Sequence, residues 1–288
     1  MIYLAESGST KCDAIFMSAD GEEVRRIRTI GFNPYFHDRA FVAREIQKVP
    51  AVQELGEEVS HVYFYGAGCS TPSLQQEIAR GLQAGFPQAE VQVDHDLTAA
   101  AYATYQSEPE ITCIFGTGSN CVHYDGQKIT PGNSGYGFII GDEGSASYIG
   151  KQLIRGYLYQ TMPEGYRKAF HEQYRLTEEQ IREKVYAREG ANVFLGNLAP
   201  FAHAHIDEPY FYQLVFEGFR EFMDTQVMQF PEARSVAVSF VGSIAYHFEP
   251  VLRDVLQFFD LRLGTIVRRP IDGLIAYHRA RLLKPQNS

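Results

Sequence analysis

Two short turns rich in glycine, serine and threonine interrupt strand-like segments and carry groups that can bind an anion. The first, SGSTK, covers residues 7–11, and the second, GTGSN, covers residues 116–120. Glycines leave the backbone N–H groups of such a turn uncovered, and hydroxyls add further donors, so the turn forms a nest for anionic oxygen. Neither turn has the GxxxxGK[ST] spacing of a Walker A loop, and each leads into a strand. The pair therefore predicts a phosphate site of another kind.

Composition limits the classes of protein to which this chain can belong. It has 288 residues, a mass of 32.5 kDa and 45% hydrophobic residues, enough for the cores of one large α/β unit or two modest domains. A net charge of -9 and a pI of about 5.5 argue against partners such as nucleic acid or an acidic membrane. No apolar run approaches about 18 residues and the start lacks a basic region, so we predict a cytoplasmic protein.

Cysteine and histidine side chains could bind a metal, but their spacing does not favour it. Asp94 with His95, and His203 with His205, lack further ligands at suitable spacing, so packing or surface roles are predicted. The cysteines form no CxxC pair, and three lie in or beside strand-like segments, where small buried thiols are common. We predict that all four are reduced and structural: Cys12, Cys69, Cys113 and Cys121.

Short apolar runs that alternate with helical patterns predict an α/β fold for the first half of the chain. Three successive strands are predicted at residues 2–5, 12–18 and 24–30, with an Asp-Gly hairpin signal between the last two. Two further strands, at 61–66 and 89–93, enclose a helix. Thr71 and Pro72 begin that helix, as a capping residue followed by proline in the first turn.

The same pattern then begins again in the second half. A strand at 111–115, the second turn and a returning strand at 120–124 repeat the opening, which indicates a weak internal duplication with a boundary near residue 107. Residues from 143 to about 230 are mainly helical, including a charged helix predicted at 177–190. The last predicted elements are a strand at 235–241, a helix to about residue 259, a strand at 261–267 and a final helix.

Eight motifs together resemble the sugar kinase, Hsp70 and actin superfamily, and within it the N-acetylglucosamine kinase and BadF/BadG/BcrA/BcrD ATPase group. They follow the family's order and span almost the whole chain: LAESGSTKCDAIF, GFNPYF, VYFYGAGC, DHDLTAAAYA, IFGTGSNC, GYGFIIGDEGS, FVGSIA and RPIDGLIAYH. The resemblance implies two RNase H-like domains, the actin-like ATPase fold, around a central ATP cleft. The implied domains are residues 1–107 with the final helix, about 274–288, and residues 108–273 with a helical insertion.

The resemblance also assigns ligands to individual residues. It implies that the two turns bind the phosphates of ATP, and that Gly242 and Ser243, between a strand and a helix, hold the adenosine. The residues implied for ATP and its phosphates are Gly8, Ser9, Thr10, Lys11, Gly116, Thr117, Gly118, Ser119, Gly242 and Ser243. Those implied for the sugar are Asn33, Asp96, Thr117, Gly118, Asn120, Gly135, Tyr136 and Asp142.

Two carboxylates have special roles in this interpretation. Asp96 follows a predicted strand and begins a helix, where the related kinases place the general base that accepts the proton of the sugar hydroxyl. From the residues alone, Asp96 as a helix N-cap is the alternative. Glu6 stands where the family usually has aspartate, and the resemblance implies that it contacts magnesium through water. The extra methylene moves the carboxylate by about 1.5 Å, which a bridging water absorbs or which weakens metal binding.

The leading hypothesis is a kinase that uses ATP and Mg²⁺ to phosphorylate the 6-hydroxyl of N-acetylglucosamine or a related amino sugar. One alternative is an ATPase activator of a radical dehydratase, which carries an iron–sulfur cluster between two subunits. Another is a non-catalytic sugar-sensing pseudokinase, which the glutamate at position 6 favours. The expected partners are ATP and a small amino sugar, with no nucleic acid and no membrane, and a homodimer is compatible with the resemblance.

Overall fold

The computed structural model describes residues 1–8, 11–133, 135–187 and 190–282. Its chain divides into two compact units, each with its own sheet. Unit 1 comprises Met1–Tyr105 and the C-terminal stretch that starts at Arg269, and unit 2 comprises Gln106–Arg268. The boundaries predicted from the sequence lie near residues 107 and 274.

Unit 1 is built on a five-stranded sheet whose strands are β1 (Ile2–Ser7), β2 (Lys11–Met17), β3 (Glu23–Ile30), β4 (His61–Gly66) and β5 (Glu90–His95). Their order across the sheet is β3-β2-β1-β4-β5. The first three strands form an antiparallel meander, and β4 joins β1 in parallel, followed by β5. Each strand lies where the sequence predicted one, because alternating and continuous apolar runs mark half-buried and buried strands.

The sheet of unit 2 repeats this topology. Its strands are β6 (Glu110–Phe115), β7 (Ser119–Tyr124), β8 (Ile129–Pro131), β9 (Ala237–Val241) and β10 (Arg262–Val267), in the order β10-β9-β6-β7-β8. The first three are antiparallel neighbours, and β9 and β10 continue in parallel from β6. The predicted internal duplication is therefore confirmed. The two polar turns join equivalent strands, β1 to β2 and β6 to β7.

Helices connect the strands of both sheets. Those of unit 1 are α1 (Arg39–Gln47), α2 (Pro50–Leu55), α3 (Pro72–Leu82), α4 (Asp96–Thr104) and α14 (Pro270–Leu282). Those of unit 2 are α5 (Gly137–Ile140), α6 (Ala146–Leu158), α7 (Glu164–Tyr174), α8 (Glu178–Val185), α9 (Ala191–Gly196), α10 (Ala199–Ala204), α11 (Pro209–Thr225), α12 (Ser243–His247) and α13 (Glu249–Phe259). Short 3₁₀ turns cover Gly56–Glu58 and Val227–Gln229. Across the described ranges, no helix combines the length and the apolar character needed to cross a membrane.

Three predicted helix boundaries are wrong. The charged helix ends at Val185 rather than at Gly190, and Gly190, with φ of 79°, instead precedes α9 as its N-cap. The helix predicted after Gly242 is interrupted at Phe248, because Pro250 cannot continue a helix from the preceding turn and lies instead in the first turn of α13. The final helix begins at Pro270, earlier than expected, since proline suits the first turn of a helix.

The C-terminal helix completes the core of unit 1. Ile271 and Leu274 of α14 are buried in one cluster with Ala99 of α4 and with side chains of β1 and β2. The two helices approach so closely that a side chain at Gly273 would overlap the backbone of Ala103, which only glycine avoids. The contact between α14 and α4 therefore fixes the position of the helix that begins at Asp96.

Candidate functional site

The turn between β6 and β7 in unit 2 presents two backbone donors. Its carbonyl groups at Gly116 and Thr117 accept hydrogen bonds from the first residues of α6, Ala146 N at 3.0 Å and Ser147 N at 3.1 Å. Among the described residues, the N–H groups of Thr117 and Gly118 have no hydrogen-bond partner. The side of Gly116 on which a Cβ would stand is open, with no atom within 4 Å. An anionic oxygen can therefore approach the turn at this side.

Ser119 does not add donors to this nest. Its N–H donates to Asp142 Oδ1 at 3.3 Å, and its hydroxyl donates to the carbonyl of Glu143 at 2.8 Å. Ser119 is a predicted phosphate ligand, but its two donor groups hold the turn against the segment that carries Asp142. Thr117 is the exposed residue of the turn.

Asp142 lies directly against the turn. A Cβ on Gly118 would stand 2.9 Å from Asp142 Oδ2, so the glycine is needed for this approach. Asp142 has φ of 58°, in the left-handed region. Burial raises the pKa of the Asp142 carboxyl, and the hydrogen bond from Ser119 N opposes that shift. The carboxylate thus connects the turn to the start of α6 and is partly exposed.

Gly242 also contacts the turn, from the end of β9. It has φ of 121°, and a side chain there would overlap the carbonyl oxygen of Phe115. Its N–H donates to Val267 O at 2.9 Å, and the exposed Ser243 follows as the first residue of α12. Unit 2 therefore brings the second turn, Asp142 and the Gly242-Ser243 segment together, although they are far apart in sequence.

The remaining residues of unit 2 that are predicted to bind the sugar lie beside this turn or near it. Asn120 Oδ1 accepts from Cys121 N at 2.8 Å, and its Nδ2 atom would stand 3.0 Å from a Cβ on Gly135. Gly135 and Asn120 are therefore adjacent. Tyr136 follows Gly135 with 63% of its surface exposed, so it is not a packed core residue.

In unit 1, the turn between β1 and β2 is described only in part. Ser9 and Thr10, both predicted phosphate ligands, lie outside the described residues. Gly8 is partly buried, and Lys11 is exposed at the first position of β2. The buried Ser7 hydroxyl donates to Gly8 O at 3.0 Å and accepts from Phe32 N at 2.9 Å, which fixes the start of the turn.

Asn33 lies directly after Phe32 and is buried, with 7% of its surface exposed. Its Oδ1 atom accepts from Tyr35 N at 3.0 Å, and its N–H donates to His37 Nδ1 at 3.2 Å. A Cβ on Gly68 would stand 2.5 Å from Asn33 Oδ1. The residue is thus placed between the end of β3 and the loop after β4, within unit 1.

Glu6 is one of three neighbouring carboxyl groups in unit 1. It lies opposite Asp13 in the β1–β2 ladder, and burial, followed by the charges of Asp96 and Asp13, raises the pKa of Glu6 to about 8. Asp13 is paired with Arg28, with 2.7 Å between Oδ1 and Nε. A carboxyl whose pKa is raised by other acids is one that a cation would stabilise in its ionised form.

Asp96 is the first residue of α4, and its carboxylate is not the helix cap. The N-cap is His95, whose Nδ1 lies 3.2 Å from Leu97 N. The same Nδ1 lies 2.9 Å from Asp96 Oδ1, and both side chains are about a quarter exposed, at 25% and 26%. The capping explanation for Asp96 is therefore wrong. The contact between His95 and Asp96 was not predicted from the sequence, although two adjacent polar residues at the start of a helix were a signal for it.

The other metal candidates are not assembled into a site. In the described part of the chain, no three His, Cys, Asp or Glu side chains are grouped so that they could hold one metal ion. All four cysteines are buried and unpaired, as predicted. His203 packs against His247 and Phe248, with ring centroids 5.1 and 5.4 Å apart, which is a packing role.

Comparisons with known proteins agree with the resemblance. Residues 6–161 match the model of the BadF/BadG/BcrA/BcrD ATPase family. A protein from Porphyromonas gingivalis, provisionally named an N-acetylglucosamine kinase, has a crystal structure that superposes with a TM-score of 0.92 at 36% identity, covering 97% of this chain and 99% of that chain. A comparison with proteins of curated function gave no match.

Two more distant structures share the fold. One is a protein from Chromobacterium violaceum, also provisionally named an N-acetylglucosamine kinase, with a TM-score of 0.71 at 17% identity over 96% of this chain and 98% of that chain. The other is a ROK family glucokinase from Streptomyces griseus, solved with glucose and AMPPNP, with a TM-score of 0.54 at 14% identity over 96% and 97%. The mixed α/β architecture with two repeated sheets is that of the actin-like ATPases and ROK-type kinases.

Proposed function

The chain belongs to the BadF/BadG/BcrA/BcrD ATPase family, and from this premise we propose that it is an ATP-dependent sugar kinase acting on the 6-hydroxyl of N-acetylglucosamine or a related amino sugar. The observation that carries the proposal is the likeness, over nearly the full length of both chains, to the Porphyromonas gingivalis protein. The proposed reaction breaks the bond between the β- and γ-phosphates of ATP and joins the γ-phosphoryl group to the sugar oxygen.

The turn of residues 116–119 is proposed to bind phosphate. The N–H groups of Thr117 and Gly118, which lack partners among the described residues, would donate to phosphate oxygens, and the exposed Thr117 hydroxyl would add a third donor. Gly116 would allow close approach, and Ser119 would hold the turn in place through Asp142 and Glu143. Gly8, Ser9, Thr10 and Lys11 are proposed to act in the equivalent turn, and Gly242 with Ser243 at the adenosine.

Asp96 is proposed as the general base. Its carboxylate stands at the start of α4 without serving as the helix cap, so the cap does not use its oxygens, one of which would accept the proton of the attacking hydroxyl. Asn33, Asn120, Gly135, Tyr136 and Asp142 are proposed to bind the sugar, since amide and carboxylate groups pair with neighbouring hydroxyls.

Magnesium is proposed as the metal of the reaction. Its role when bound would be to neutralise charge on the phosphates. The residues present fit a Mg²⁺ ion that keeps most of its water, because burial and the charges of Asp96 and Asp13 disfavour the ionised Glu6 carboxyl unless a cation is near. The described residues offer no full protein cage for such an ion. Glu6 would therefore hold the ion through water.

The two alternatives receive less support. A radical-dehydratase activator needs cysteines at a surface that two subunits share, whereas all four cysteine side chains here are buried in the cores of their units. A pseudokinase is favoured by glutamate at position 6, but Asp96, the proposed base, is present. We therefore retain the kinase as the proposed function.

The experiment that tests this function measures phosphate transfer from radiolabelled ATP to a panel of amino sugars and neutral hexoses, followed by the Asp96→Asn variant. Asparagine has nearly the same volume but cannot accept a proton. We expect kcat to fall by about 10²–10⁴-fold, the usual range for loss of a general base, while the melting temperature and both ligand affinities are kept.

Two results would contradict the proposal. Transfer to no sugar of the panel, with ATP hydrolysis alone, would remove the kinase function. Wild-type turnover in the Asp96→Asn variant would remove Asp96 as the base. Product analysis by NMR, which identifies the phosphorylated oxygen, tests the 6-hydroxyl separately.

A further inference from the structure

His95 offers a single nitrogen to two partners that need it in opposite protonation states. Its Nδ1 lies 3.2 Å from the N–H of Leu97, which requires a lone pair on Nδ1, and 2.9 Å from Asp96 Oδ1, which requires a proton there. The two hydrogen bonds cannot form together. Neutral His95 caps α4, and the imidazolium form binds the Asp96 carboxylate.

We propose that His95 is a positioning residue for Asp96, and that its protonation withdraws Asp96 from its role as proton acceptor. This inference rests on the proposed kinase function. In the neutral state, Nδ1 accepts from Leu97 N and both carboxylate oxygens of Asp96 keep their lone pairs. In the protonated state, Nδ1–H donates to Oδ1 and occupies the oxygen that would otherwise take the proton of the sugar hydroxyl.

The surroundings of His95 hold it where this exchange can occur. Asp94 Oδ1 accepts the backbone N–H of His95 at 2.7 Å, so the backbone at the end of β5 is fixed. Rotating the ring away would remove the cap of α4, the helix that α14 packs against. The choice of partner is therefore made by the proton on Nδ1 and not by a large movement.

The charges around the ring favour the proton near neutral pH. Burial lowers the pKa of His95, but the hydrogen bond to Asp96 and the negative charges of Asp96 and Asp94 outweigh it, so the net pKa lies above its ordinary value. Among the described residues, the titratable groups that also interact with Asp94 or Asp96 include Tyr65, on β4, Cys69, after β4, and Glu6, on β1. Burial raises the pKa of Cys69 to about 12, so this thiol stays neutral, and Glu6 interacts with Asp96.

The test compares the pH dependence of kcat in the wild type and in His95→Asn. Asparagine is a good helix cap that can accept from Leu97 N, and it carries no charge at any pH. At pH 8.5 we expect turnover within about twofold of the wild type. At pH 5.5 the wild type should lose at least about tenfold relative to the variant, because an imidazole that titrates above pH 6.5 is then protonated. Groups shared by both proteins cancel in the ratio.

A second readout does not depend on sugar phosphorylation. The ring resonances of His95, assigned by their loss in His95→Asn, are titrated by NMR in the wild type and in Asp96→Asn. We expect the titration midpoint of His95 to fall when the Asp96 charge is removed, because that charge stabilises the imidazolium form. Failure of the kinase assay on every sugar, with this shift present, would count against the proposed function but not against the coupling of the two side chains.

Two outcomes would overturn the inference. A wild-type to variant ratio of kcat that does not change with pH would show that His95 protonation has no effect on Asp96 as a base. An unchanged His95 midpoint in Asp96→Asn would show that the two side chains are not coupled. Equal melting temperatures of the wild type and His95→Asn at pH 8.5 serve as the control for an intact α4.

Discussion

At the scale of single residues, three carboxyl groups of unit 1, those of Glu6, Asp13 and Asp96, are close enough for the charges of the last two to disfavour ionisation of Glu6. Glu6 is partly buried near Asp96 and opposite Asp13, and its pKa is raised to about 8, first by burial and then by those charges. The Arg28 guanidinium pairs with Asp13, and His95 contacts Asp96, so neither of these basic groups is paired with Glu6. A raised pKa means that the folded protein keeps the Glu6 proton over a pH range in which the unfolded chain releases it.

The first prediction follows from this difference in proton binding. Between the ordinary pKa of 4.5 and about 8, the folded state binds more protons at Glu6 than the unfolded state, so stability decreases as pH rises through this window. Glu6→Gln cannot ionise and escapes the loss. Without ATP or magnesium, the melting temperature of Glu6→Gln relative to the wild type should therefore be higher at pH 8.5 than at pH 5.

Thermal unfolding at the two pH values checks this prediction. The matched control is Asp13→Asn, which removes a carboxylate that already has an arginine partner. An identical temperature difference between Glu6→Gln and the wild type at both pH values would mean that Glu6 titrates normally, and its proposed need for a cation would lose its support.

At the scale of elements, two glycines at the turn between β6 and β7 have different roles, one in packing and one in the proposed approach of a ligand. Gly242, at the end of β9, approaches the backbone of Phe115 with a positive φ, so it is needed for packing. Gly116 has open space where a side chain would stand. The fold therefore tolerates a methyl group at Gly116. The same methyl group would block a phosphate that approaches the turn on that side.

The second prediction contrasts alanine at these two positions. Gly242→Ala should lose about 3 kcal/mol of stability or more, because the strain and the overlap with Phe115 O cannot be relieved without moving β6 or β9. Gly116→Ala should change stability by less than about 1 kcal/mol but raise the KM for ATP on the order of tenfold. Denaturant unfolding and an ATP titration measure both effects. ATP affinity at the wild-type level in Gly116→Ala would exclude the turn as the phosphate site.

At the scale of the whole molecule, the two units differ in how the chain builds them. Unit 2 is one continuous segment, Gln106–Arg268, with its own sheet and a large buried core. Unit 1 is discontinuous, because α14 returns from the end of the chain to cover α4, β1 and β2. A fragment of unit 1 without α14 would expose the surfaces that Ile271 and Leu274 bury.

The third prediction concerns these two fragments. Residues 106–268 expressed alone should fold cooperatively, as seen by circular dichroism and a single thermal transition, since a unit with its own core can fold independently. Residues 1–105 alone should aggregate or unfold at a lower temperature than the same segment joined by a short linker to residues 269–288. Equal stability of the joined and unjoined forms of unit 1 would contradict the role given to α14.

The sequence alone determined the strands, the duplication and the two polar turns, because hydrophobic periodicity and turn residues act over a few neighbouring positions. Thr71 and Pro72, for example, predicted the start of α3 from local chemistry, and its N-cap bond from Leu74 N is present at 3.4 Å. The family resemblance added candidate ligands that periodicity could not supply. Helix ends near Gly190 and Phe248 were wrong, because the same glycine or proline signal fits either the end or the start of a helix.

Only the tertiary structure decided which groups are occupied and which remain available. Ser119 has hydroxyl and N–H donors in the sequence, but both are used by Glu143 and Asp142, which lie more than twenty residues away. The segment that carries these two residues is held beside the turn by the hydrogen bonds from the start of α6 to Gly116 and Thr117. Asp96 and His95 are adjacent, and either side chain could accept the hydrogen bond from Leu97 N. In the structure His95 accepts it, so Asp96 does not cap the helix. Each donor hydrogen forms one hydrogen bond. A donor that is free to bind a ligand in the sequence is therefore unavailable once the fold brings a protein acceptor next to it.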